Sequence, residues 1–374
     1  MAYQTTTRTS YGQRLTGSFK GIATGFLLFI AGTILLFWNE GNFVRTKASL
    51  LEAEAAAVIV EDVSSLDPSL NGSLIHAIAF ADTEDILVDN DYGVTEKAIA
   101  LKREVEYYQY EERSESTTRD RIGGGQETVT TYYYDLKWVS KPINSANFED
   151  PSYYSSNFVR KNVEAQTIYA QKVSFGGYQL PAFMIKSIRG NVPVDVHVPQ
   201  EDDVAVFGNT VYYGRSSSSP SVGDVRVMIT KVVPAQISIM GKVVNNTFEH
   251  YVAKNGKTFS AVEMGSVSAQ NMFADAHSSN KMWTWILRFV GLFLVIGGLK
   301  SMFSILPAIF KVLPFLGNIV GAGVGLVCAI VGGAWSLIII AISWLWYRPL
   351  IGIILLVISF AGIWLLKKKA KEKS

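Results

Sequence analysis

The longest charge-free stretch of the chain runs from Val312 to Tyr347 and holds 36 residues without Asp, Glu, Lys or Arg. Two further charge-free runs cover residues 21–39 and 350–366. A run of about 18 or more apolar residues is typical of a helix that crosses a lipid bilayer. Hydrophobic residues make up 49% of the 374-residue chain and charged residues 18%, which argues against an ordinary soluble protein. The sequence therefore predicts an integral membrane protein.

The distribution of charge predicts the number of spans. Residues 1–39 carry a net charge of +3 and residues 283–374 carry +8, so the total of +2 leaves −9 for residues 40–282. Basic flanks stay on the cytoplasmic side of a membrane, so both termini are expected inside. Two inside termini require an even number of spans. We predict a multi-pass α-helical protein with four spans, at residues 19–39, 283–303, 315–345 and 348–366.

The segments between the spans follow from this topology. Residues 1–18 form a cytoplasmic basic tail, 40–282 an extracytoplasmic or luminal domain, 304–314 a cytoplasmic interfacial loop and 367–374 a cytoplasmic lysine-rich tail. The tail places a group of lysines beside anionic lipid head groups: Lys367, Lys368, Lys369, Lys371 and Lys373.

Two features of the spans need explanation. The third charge-free run would reach ~54 Å as a helix against a hydrocarbon core of ~30 Å. It must therefore tilt, bend, or include a re-entrant part. The second span carries Arg288 close to Trp283 and Trp285. Because tryptophans mark membrane interfaces, Arg288 is expected to snorkel outward from a shallow depth.

Small residues recur every four positions along the third span: Gly317, Gly321, Gly325, Ala329 and Gly333. On a helix they form one stripe, which lets a neighbouring backbone approach closely. The run GAGVG at 321–325 is an unlikely phosphate loop, because such loops follow a strand in an aqueous domain. A narrow polar pathway along the stripe is an alternative, with Asn318, Ser336 and Ser343 as polar neighbours. Ion pathways usually need an ionisable residue, which this span lacks.

The large middle segment is predicted to be a β-rich α+β domain inserted between spans one and two. β-branched and aromatic residues with partial alternation predict strands at 72–80, 103–112, 129–139, 192–198, 224–233 and 236–244. Residues 104–112 and 128–139 form a long hairpin with a glycine tip at 123–125. A second hairpin is predicted on either side of Pro234. Helix is expected near 157–170 and 266–277.

We expect this domain to hold no catalytic, metal or cofactor site. Its histidines (His76, His197, His250 and His277) lack ligand spacing, and the one cysteine, Cys328, lies in an apolar run. The stretch DILVDNDYG at 85–93 resembles a calcium loop, but its glycine comes one position early and no glutamate closes it, so an Asp/Asn/Gly turn is predicted. A charge of −9 disfavours nucleic acid. Clustered tyrosines either pair within the fold or meet a partner.

Several landmarks together resemble the LUMA family, also called the transmembrane protein 43 family. They run in the order WNEG (38–41), YGV (92–94), LKREVEYYQ (101–109), VGDVRV (222–227), MWTWILR (282–288) and WLWYRPL (344–350). The resemblance implies four spans, one large luminal domain and self-association. For an animal member it implies the endoplasmic reticulum and inner nuclear membrane, with envelope proteins as partners. A bacterial member would lie in the cytoplasmic membrane.

The last landmark predicts a tight turn at the outer interface. Trp344 and Tyr347 suit an aromatic belt, and Pro349 suits the first turn of the next helix. Arg348 then either snorkels or pairs with an acidic residue of the large domain.

Three functions compete at this point. The first is a non-enzymatic scaffold that self-associates, contacts membrane lipids and organises unidentified membrane or extracytoplasmic proteins. The second is an ion channel or channel subunit. The third is a membrane-embedded lipid-active enzyme, which is disfavoured because the spans lack paired His, Asp or Glu.

Overall fold

A computed structural model describes residues 3–199 and 203–347 of the chain. Contacts divide them into two units. The β unit comprises residues 3–5, 52–116 and 130–274 without the gap at 200–202, and the helical unit comprises 6–51, 117–129 and 275–347. The predicted fourth span at 348–366 and the tail at 367–374 lie outside the described residues.

Five α-helices are present among the described residues: α1 Tyr11–Ala56, α2 Ala182–Ile185, α3 Ala269–Met302, α4 Ile305–Phe310 and α5 Pro314–Tyr347. Three of them, α1, α3 and α5, are long and apolar enough to cross a membrane. Helices α1 and α5 contain the predicted spans 19–39 and 315–345 and extend past them, and α3 covers the span 283–303 up to Met302 and begins 14 residues before it. The third run is one continuous helix of 34 residues, about 51 Å at 1.5 Å per residue.

Helix α1 begins at a capping box formed by Ser10 and Gln13. The Gln13 amide N–H donates to the Ser10 hydroxyl at 3.3 Å, and the Ser10 N–H donates to Gln13 Oε1 at 2.9 Å. This reciprocal pair satisfies two of the N–H groups that a helix start leaves free. Helix α5 begins at Pro314, whose missing N–H costs nothing at a first helical position.

Nineteen strands are described, nearly all of them in the β unit. In chain order they are β1 Tyr3–Thr9, β2 Val58–Val60, β3 Leu74–Asp82, β4 Ile86–Asp89, β5 Val94–Lys97, β6 Ala100–Asp120, β7 Gln126–Val139, β8 Gln166–Tyr169, β9 Ser174–Phe175, β10 Tyr178–Gln179, β11 Val192–Pro193, β12 Val204–Phe207, β13 Thr210–Tyr213, β14 Val225–Val232, β15 Ala235–Val244, β16 Thr247–Glu249, β17 Tyr251–Val252, β18 Thr258–Phe259 and β19 Ala261–Met264.

Two larger sheets organise the β unit. The first has the order β1-β7-β6-β14-β13-β12, with β8 on β6 and β11 on β14. The second has the order β19-β15-β16-β10-β9-β3-β2, and β15 also pairs with β3. Strands β4 and β5 and strands β17 and β18 form separate two-stranded sheets.

Each larger sheet contributes its own hydrophobic core. Alternation along β14 buries Val225, Val227 and Ile229, which pack with residues of β6. In the second sheet, antiparallel pairing of β3 with β15 places Ala77 opposite Ile239, and both side chains are fully buried. Full burial of an aliphatic side chain stabilises a fold by roughly 1.5–3 kcal/mol. The predicted β-rich class is therefore present.

The sequence predictions for single elements had mixed outcomes. The long hairpin is present as β6 and β7. The predicted hairpin around Pro234 was wrong, because β14 lies in the first sheet and β15 in the second, so the chain changes sheets at this proline. Proline cannot donate to a ladder, which suits a corner between sheets. The strand at 192–198 is reduced to Val192–Pro193, and no helix forms at 157–170.

The tip of the long hairpin belongs to the helical unit. Its Gly123 N–H donates to the Val312 carbonyl at 3.1 Å, and Asp120 pairs with Arg14 at 2.8 Å and with Lys311 at 3.0 Å. The predicted topology put residues 9–18 and 304–314 on one side of the membrane and residue 120 on the other. A docked tip requires residues 9–18, 120 and 304–314 to lie on one side of the membrane, so it is incompatible with the predicted topology. Cysteine labelling from the two sides of the membrane tests which of them holds.

Candidate functional site: a buried ion pair between three helices

Helices α1 and α3 pack backbone to backbone through glycines. A Cβ added at Gly25 would lie 2.6 Å from the carbonyl oxygen of Gly298, and one added at Gly298 would lie 2.6 Å from the Phe29 nitrogen. Because the two helices are antiparallel, Gly32, seven residues after Gly25, and Gly291, seven residues before Gly298, repeat the close approach: a Cβ at Gly32 would lie 2.9 Å from the Gly291 oxygen. Only glycine fits at such distances, so these positions set the separation of the two helices.

Next to this contact, α1 and α3 are joined by an ion pair. Arg288 Nε donates to Glu40 Oε1 at 2.6 Å and Arg288 Nη2 to Glu40 Oε2 at 2.9 Å. The Glu40 side chain is fully buried, and that of Arg288 is 16% exposed. The parallel two-bond geometry is the strongest form of a carboxylate–guanidinium contact.

Helix α5 completes the cluster. Trp344 Nε1 donates to Glu40 Oε2 at 2.8 Å, so the carboxylate receives hydrogen bonds from two different helices. The Arg288 guanidinium lies 4.7 Å from the centre of the Trp285 ring, within cation–π range. We call Glu40, Arg288 and Trp344 the clamp.

Neighbouring contacts reinforce the clamp. Asn39 Nδ2 donates to the Thr284 carbonyl at 3.0 Å, which again joins α1 to α3. The Tyr347 ring lies against Gly41, where an added Cβ would come within 2.5 Å of it. Three stretches that are distant in sequence, 38–41, 282–288 and 344–347, therefore meet in one place.

The clamp is a buried ion pair in which both oxygens of the carboxylate accept hydrogen bonds. Moving two charges out of water costs several kcal/mol per ion, and excellent geometry with further hydrogen bonds is needed to offset that cost. Both Glu40 oxygens are engaged by donors, which meets this requirement. The arrangement holds helices in register.

The clamp corrects one expectation. Arg288 does not snorkel outward; it pairs with Glu40 on α1, which the predicted topology assigns to the large domain as its first residue. The sequence does contain a signal for this pair. Glu40 and Arg288 stand near the same ends of two antiparallel spans and carry opposite charges.

The predicted glycine stripe of α5 is only partly used inside the chain. Gly317 is buried against Lys311, and a Cβ at Gly321 would meet Pro307 at an ordinary 3.5 Å. A Cβ added at Gly325 would lie 3.8 Å from the nearest atom, in the Lys300 side chain, and one added at Gly333 would meet nothing within 4 Å. Ala329 is half-buried. The tight contact of α5 with α3 is instead at Gly332, where an added Cβ would lie 2.8 Å from the Ile296 side chain.

The polar neighbours of the stripe are also accounted for in part. Ser336 and Ser343 are buried and donate to carbonyls of their own helix, Gly332 and Ile339, at 2.7 and 2.8 Å. Their hydroxyls are therefore engaged locally. Of the predicted interface turn, Trp344 and Tyr347 lie on α5, while Arg348, Pro349 and the lysines Lys367, Lys368, Lys369, Lys371 and Lys373 lie outside the described residues.

The β unit holds a second buried charge cluster, around Arg103. Arg103 Nη1 donates to Asp89 at 3.2 Å and to Asp91 at 2.7 Å, and Nη2 donates to Gln166 at 3.0 Å. Burial raises the pKa of the Asp89 carboxyl above its ordinary value, although the Arg103 charge opposes this. These acids lie in the stretch that resembled a calcium loop, and they bind arginine. Gly93 adopts a left-handed φ of 61°, as the predicted turn requires.

The tyrosines of the β unit pair largely within the fold. Tyr134 stacks on Tyr153 with ring centres 4.0 Å apart, and Tyr108 lies 5.1 Å from Trp138. Tyr212 donates to Asp224, and burial is the main reason its pKa is raised. Of the two interpretations of the clusters, packing within the fold accounts for these rings, across strands for Tyr108 and Trp138 and between a strand and a short 3-10 turn for Tyr134 and Tyr153. No group of His, Cys, Asp or Glu in the described ranges is arranged to hold a metal ion.

Comparisons with known proteins agree on one family. The family model described as Transmembrane protein 43 matches residues 107–349. Transmembrane protein 43 of Mus musculus is 30% identical over 352 residues, covering 90% of this chain and 87% of the mouse protein. The Homo sapiens protein is 28% identical over 387 residues, covering 99% and 95%. The Drosophila melanogaster homolog is 27% identical over 355 residues, covering 89% and 90%. No solved structure matches the chain.

Proposed function

Since this chain belongs to the transmembrane protein 43 family, we propose that it is a non-enzymatic integral membrane scaffold. In this proposal it self-associates and organises membrane or envelope protein complexes through its β-rich domain. The charge asymmetry of the sequence is the reason to place the bulk of this domain outside the cytoplasm. The membrane is the bacterial cytoplasmic membrane for a prokaryotic source, or the endoplasmic reticulum and inner nuclear membrane for an animal one.

The clamp is the observation that carries the proposal. It uses the one buried acid of the described membrane helices to tie α1, α3 and α5 together. Intramembrane charges are expensive, and they usually mark transport or proton pathways when they face a cavity. Here the two charges pair with each other, and Trp344 donates a further hydrogen bond to the Glu40 carboxylate. Such an arrangement would hold α1, α3 and α5 together as a rigid support.

Surfaces suited to partners exist in each unit. In the helical unit, the outer face of α5 exposes Leu326, Ile330 and Leu337 by 64%, 62% and 69%. In the β unit, β2 is an edge strand of the second sheet, and its Ile59 is 68% exposed. An exposed edge strand offers unpaired backbone groups to a partner strand.

Subunit counting in lipid tests self-association. The full-length chain, labelled once, is reconstituted into liposomes at decreasing protein density, and photobleaching steps are counted per particle. We expect more than one copy per particle at densities where random co-occupancy is negligible. Gly333→Leu fills open space at the end of the α5 stripe and is expected to lower the copy number, whereas Gly12→Leu, also in open space, is the matched control. Single copies at every density would refute self-association.

A further inference from the structure

Two Asn-X-Ser/Thr triplets occur in the chain, NGS at 71–73 and NNT at 245–247, and the fold of the β unit brings them together. Their asparagines are 174 positions apart, yet the Asn245 N–H donates to Asn71 Oδ1 at 2.9 Å. Both triplets lie at the end of the second sheet where β3 begins and β15 ends. Such a triplet can accept an N-linked sugar when its asparagine lies on an exposed surface.

The amide nitrogen of Asn71 is available at this surface. Asn71 is exposed and follows the short 3-10 helix Pro68–Leu70, with φ −59° and ψ 126°. The Asn245 N–H engages its Oδ1, and no group in the described ranges forms a hydrogen bond with its Nδ2. A Cβ added at the neighbouring Gly72 would meet nothing within 4 Å, so the space beside this turn is open. A sugar on Nδ2 would therefore leave the Oδ1 bond intact.

The second triplet is explained by the fold itself. Strand β15 ends at Val244 and β16 begins at Thr247, so residues 245 and 246 form a two-residue hairpin loop. Asn245 has a φ of 56°, which is the one positive φ of a non-glycine residue among the described residues. Asparagine is favoured in such a loop because it tolerates the left-handed region. The Thr247 hydroxyl donates to the Gln179 carbonyl at 2.8 Å, so both polar residues of this triplet have structural roles.

The serine of the first triplet has no comparable role. The Ser73 backbone N–H donates to the Leu70 carbonyl at 2.9 Å, and the Ser73 carbonyl accepts from the Val243 N–H at 2.9 Å. Its hydroxyl has no hydrogen-bond partner in the part of the chain that the structure describes. The fold therefore uses the backbone of Ser73 and leaves the hydroxyl, which glycosylation requires, unassigned.

We propose that Asn71 is the acceptor of an N-linked oligosaccharide and that Asn245 stays unmodified. In the transfer, Asn71 Nδ2 forms a bond to C1 of the first sugar of a lipid pyrophosphate-linked oligosaccharide. The bond between C1 and the pyrophosphate oxygen breaks, and one amide proton is lost to the departing lipid pyrophosphate. The inference rests on the proposed function, which places the β unit outside the cytoplasm, and it applies where the membrane is the endoplasmic reticulum.

Translation of the full-length chain with microsomes of the endoplasmic reticulum tests the site. We expect one step of slower migration in a denaturing gel, and endoglycosidase H should remove it. Ser73→Ala destroys the triplet but keeps the Asn71 side chain, and is expected to abolish the step, whereas Ser73→Thr keeps both. Thr247→Val is expected to leave the step unchanged. A step that survives Ser73→Ala, or one that Thr247→Val removes, would overturn the proposal.

One more variant distinguishes failure of this inference from failure of the proposed function. Asn255 and Gly256 are exposed in the turn between β17 and β18, and Lys257→Thr completes an NGT triplet there. With the β unit in the lumen, this variant is expected to gain a second step. If Lys257→Thr migrates more slowly than an unshifted wild type, the β unit is luminal and the assignment of Asn71 is wrong. If neither is shifted, the luminal placement fails, and the assignment of Asn71 fails with it.

Discussion

Substituting Glu40 with glutamine is expected to weaken the helical unit strongly although the shape of the side chain is kept. In the wild type, both Glu40 oxygens accept bonds from Arg288, and one also accepts from Trp344. Glutamine retains one acceptor and places an NH₂ group against the guanidinium. Arg288 is then left 84% buried without a counter-charge, since its side chain is 16% exposed.

The magnitude follows from that burial. Breaking a fully buried ion pair by removing one partner costs about 3–5 kcal/mol. Arg288 keeps its contact with the Trp285 ring and retains some exposure, which reduces the cost. We therefore expect Glu40→Gln to lower the free energy of unfolding by about 2–4 kcal/mol.

The assay is equilibrium unfolding of the full-length chain in mixed micelles, with tryptophan fluorescence as the signal. Asp275→Asn is the matched control, because Asp275 is an exposed acid on α3 in the same unit. It is expected to change the free energy by less than about 0.5 kcal/mol. If Glu40→Gln is as mild as Asp275→Asn, the reasoning about the clamp is refuted.

Three other predictions concern the helical unit. Gly298→Ala is expected to destabilise this unit by more than about 1 kcal/mol, because the new Cβ would lie 2.6 Å from the Phe29 nitrogen. Gly297→Ala is the control and is expected to be tolerated, because an added Cβ there meets nothing within 4 Å. Unfolding in micelles compares the two variants. Burial raises the pKa of the Asp120 carboxyl, but hydrogen bonds and charges from Lys311 and Arg14 lower it by more, so the net pKa lies below the ordinary value. Docking of the tip is therefore expected to persist at neutral pH and to weaken as the pH falls below about 4. Hydrogen exchange of residues 117–129 measures this, and unchanged protection at low pH would count against it. In a Cys328→Ser background, the docked tip predicts that Ile122→Cys and Gly12→Cys react from the same side of a sealed vesicle, which would contradict the placement of residues 40–282 outside the cytoplasm. Labelling from opposite sides would contradict the docked tip.

Those parts of the fold that depend on local pattern were predictable. Charge-free runs predicted α1 and α5, the apolar segment at 283–303 predicted α3, and alternating aromatic residues predicted β6 and β7. Both signals arise from burial of neighbouring side chains, which leaves a period in the sequence. Boundaries were less accurate, because α1 continues after the predicted span 19–39 and α3 begins before 283 as ordinary polar helix.

Features that depend on contacts between distant segments were not predictable in the same way. Glu40 and Arg288 are separated by 248 positions, and each alone is ordinary at the end of a span. Pro234 reads equally well as a hairpin turn or as a corner between sheets. The close helix contact fell on Gly25 and Gly298, because spacing shows which residues share a face and not which helix that face meets.

The coupling free energy between Glu40 and Arg288 tests the central claim most directly. It is obtained from a double-mutant cycle of Glu40→Gln, Arg288→Gln and the double variant, each measured by unfolding in micelles. Side chains in direct contact couple by about 0.5–3 kcal/mol, and we expect a value in the upper half of that range. Additivity within about 0.3 kcal/mol would mean that the two residues act independently and that no clamp joins α1 to α3.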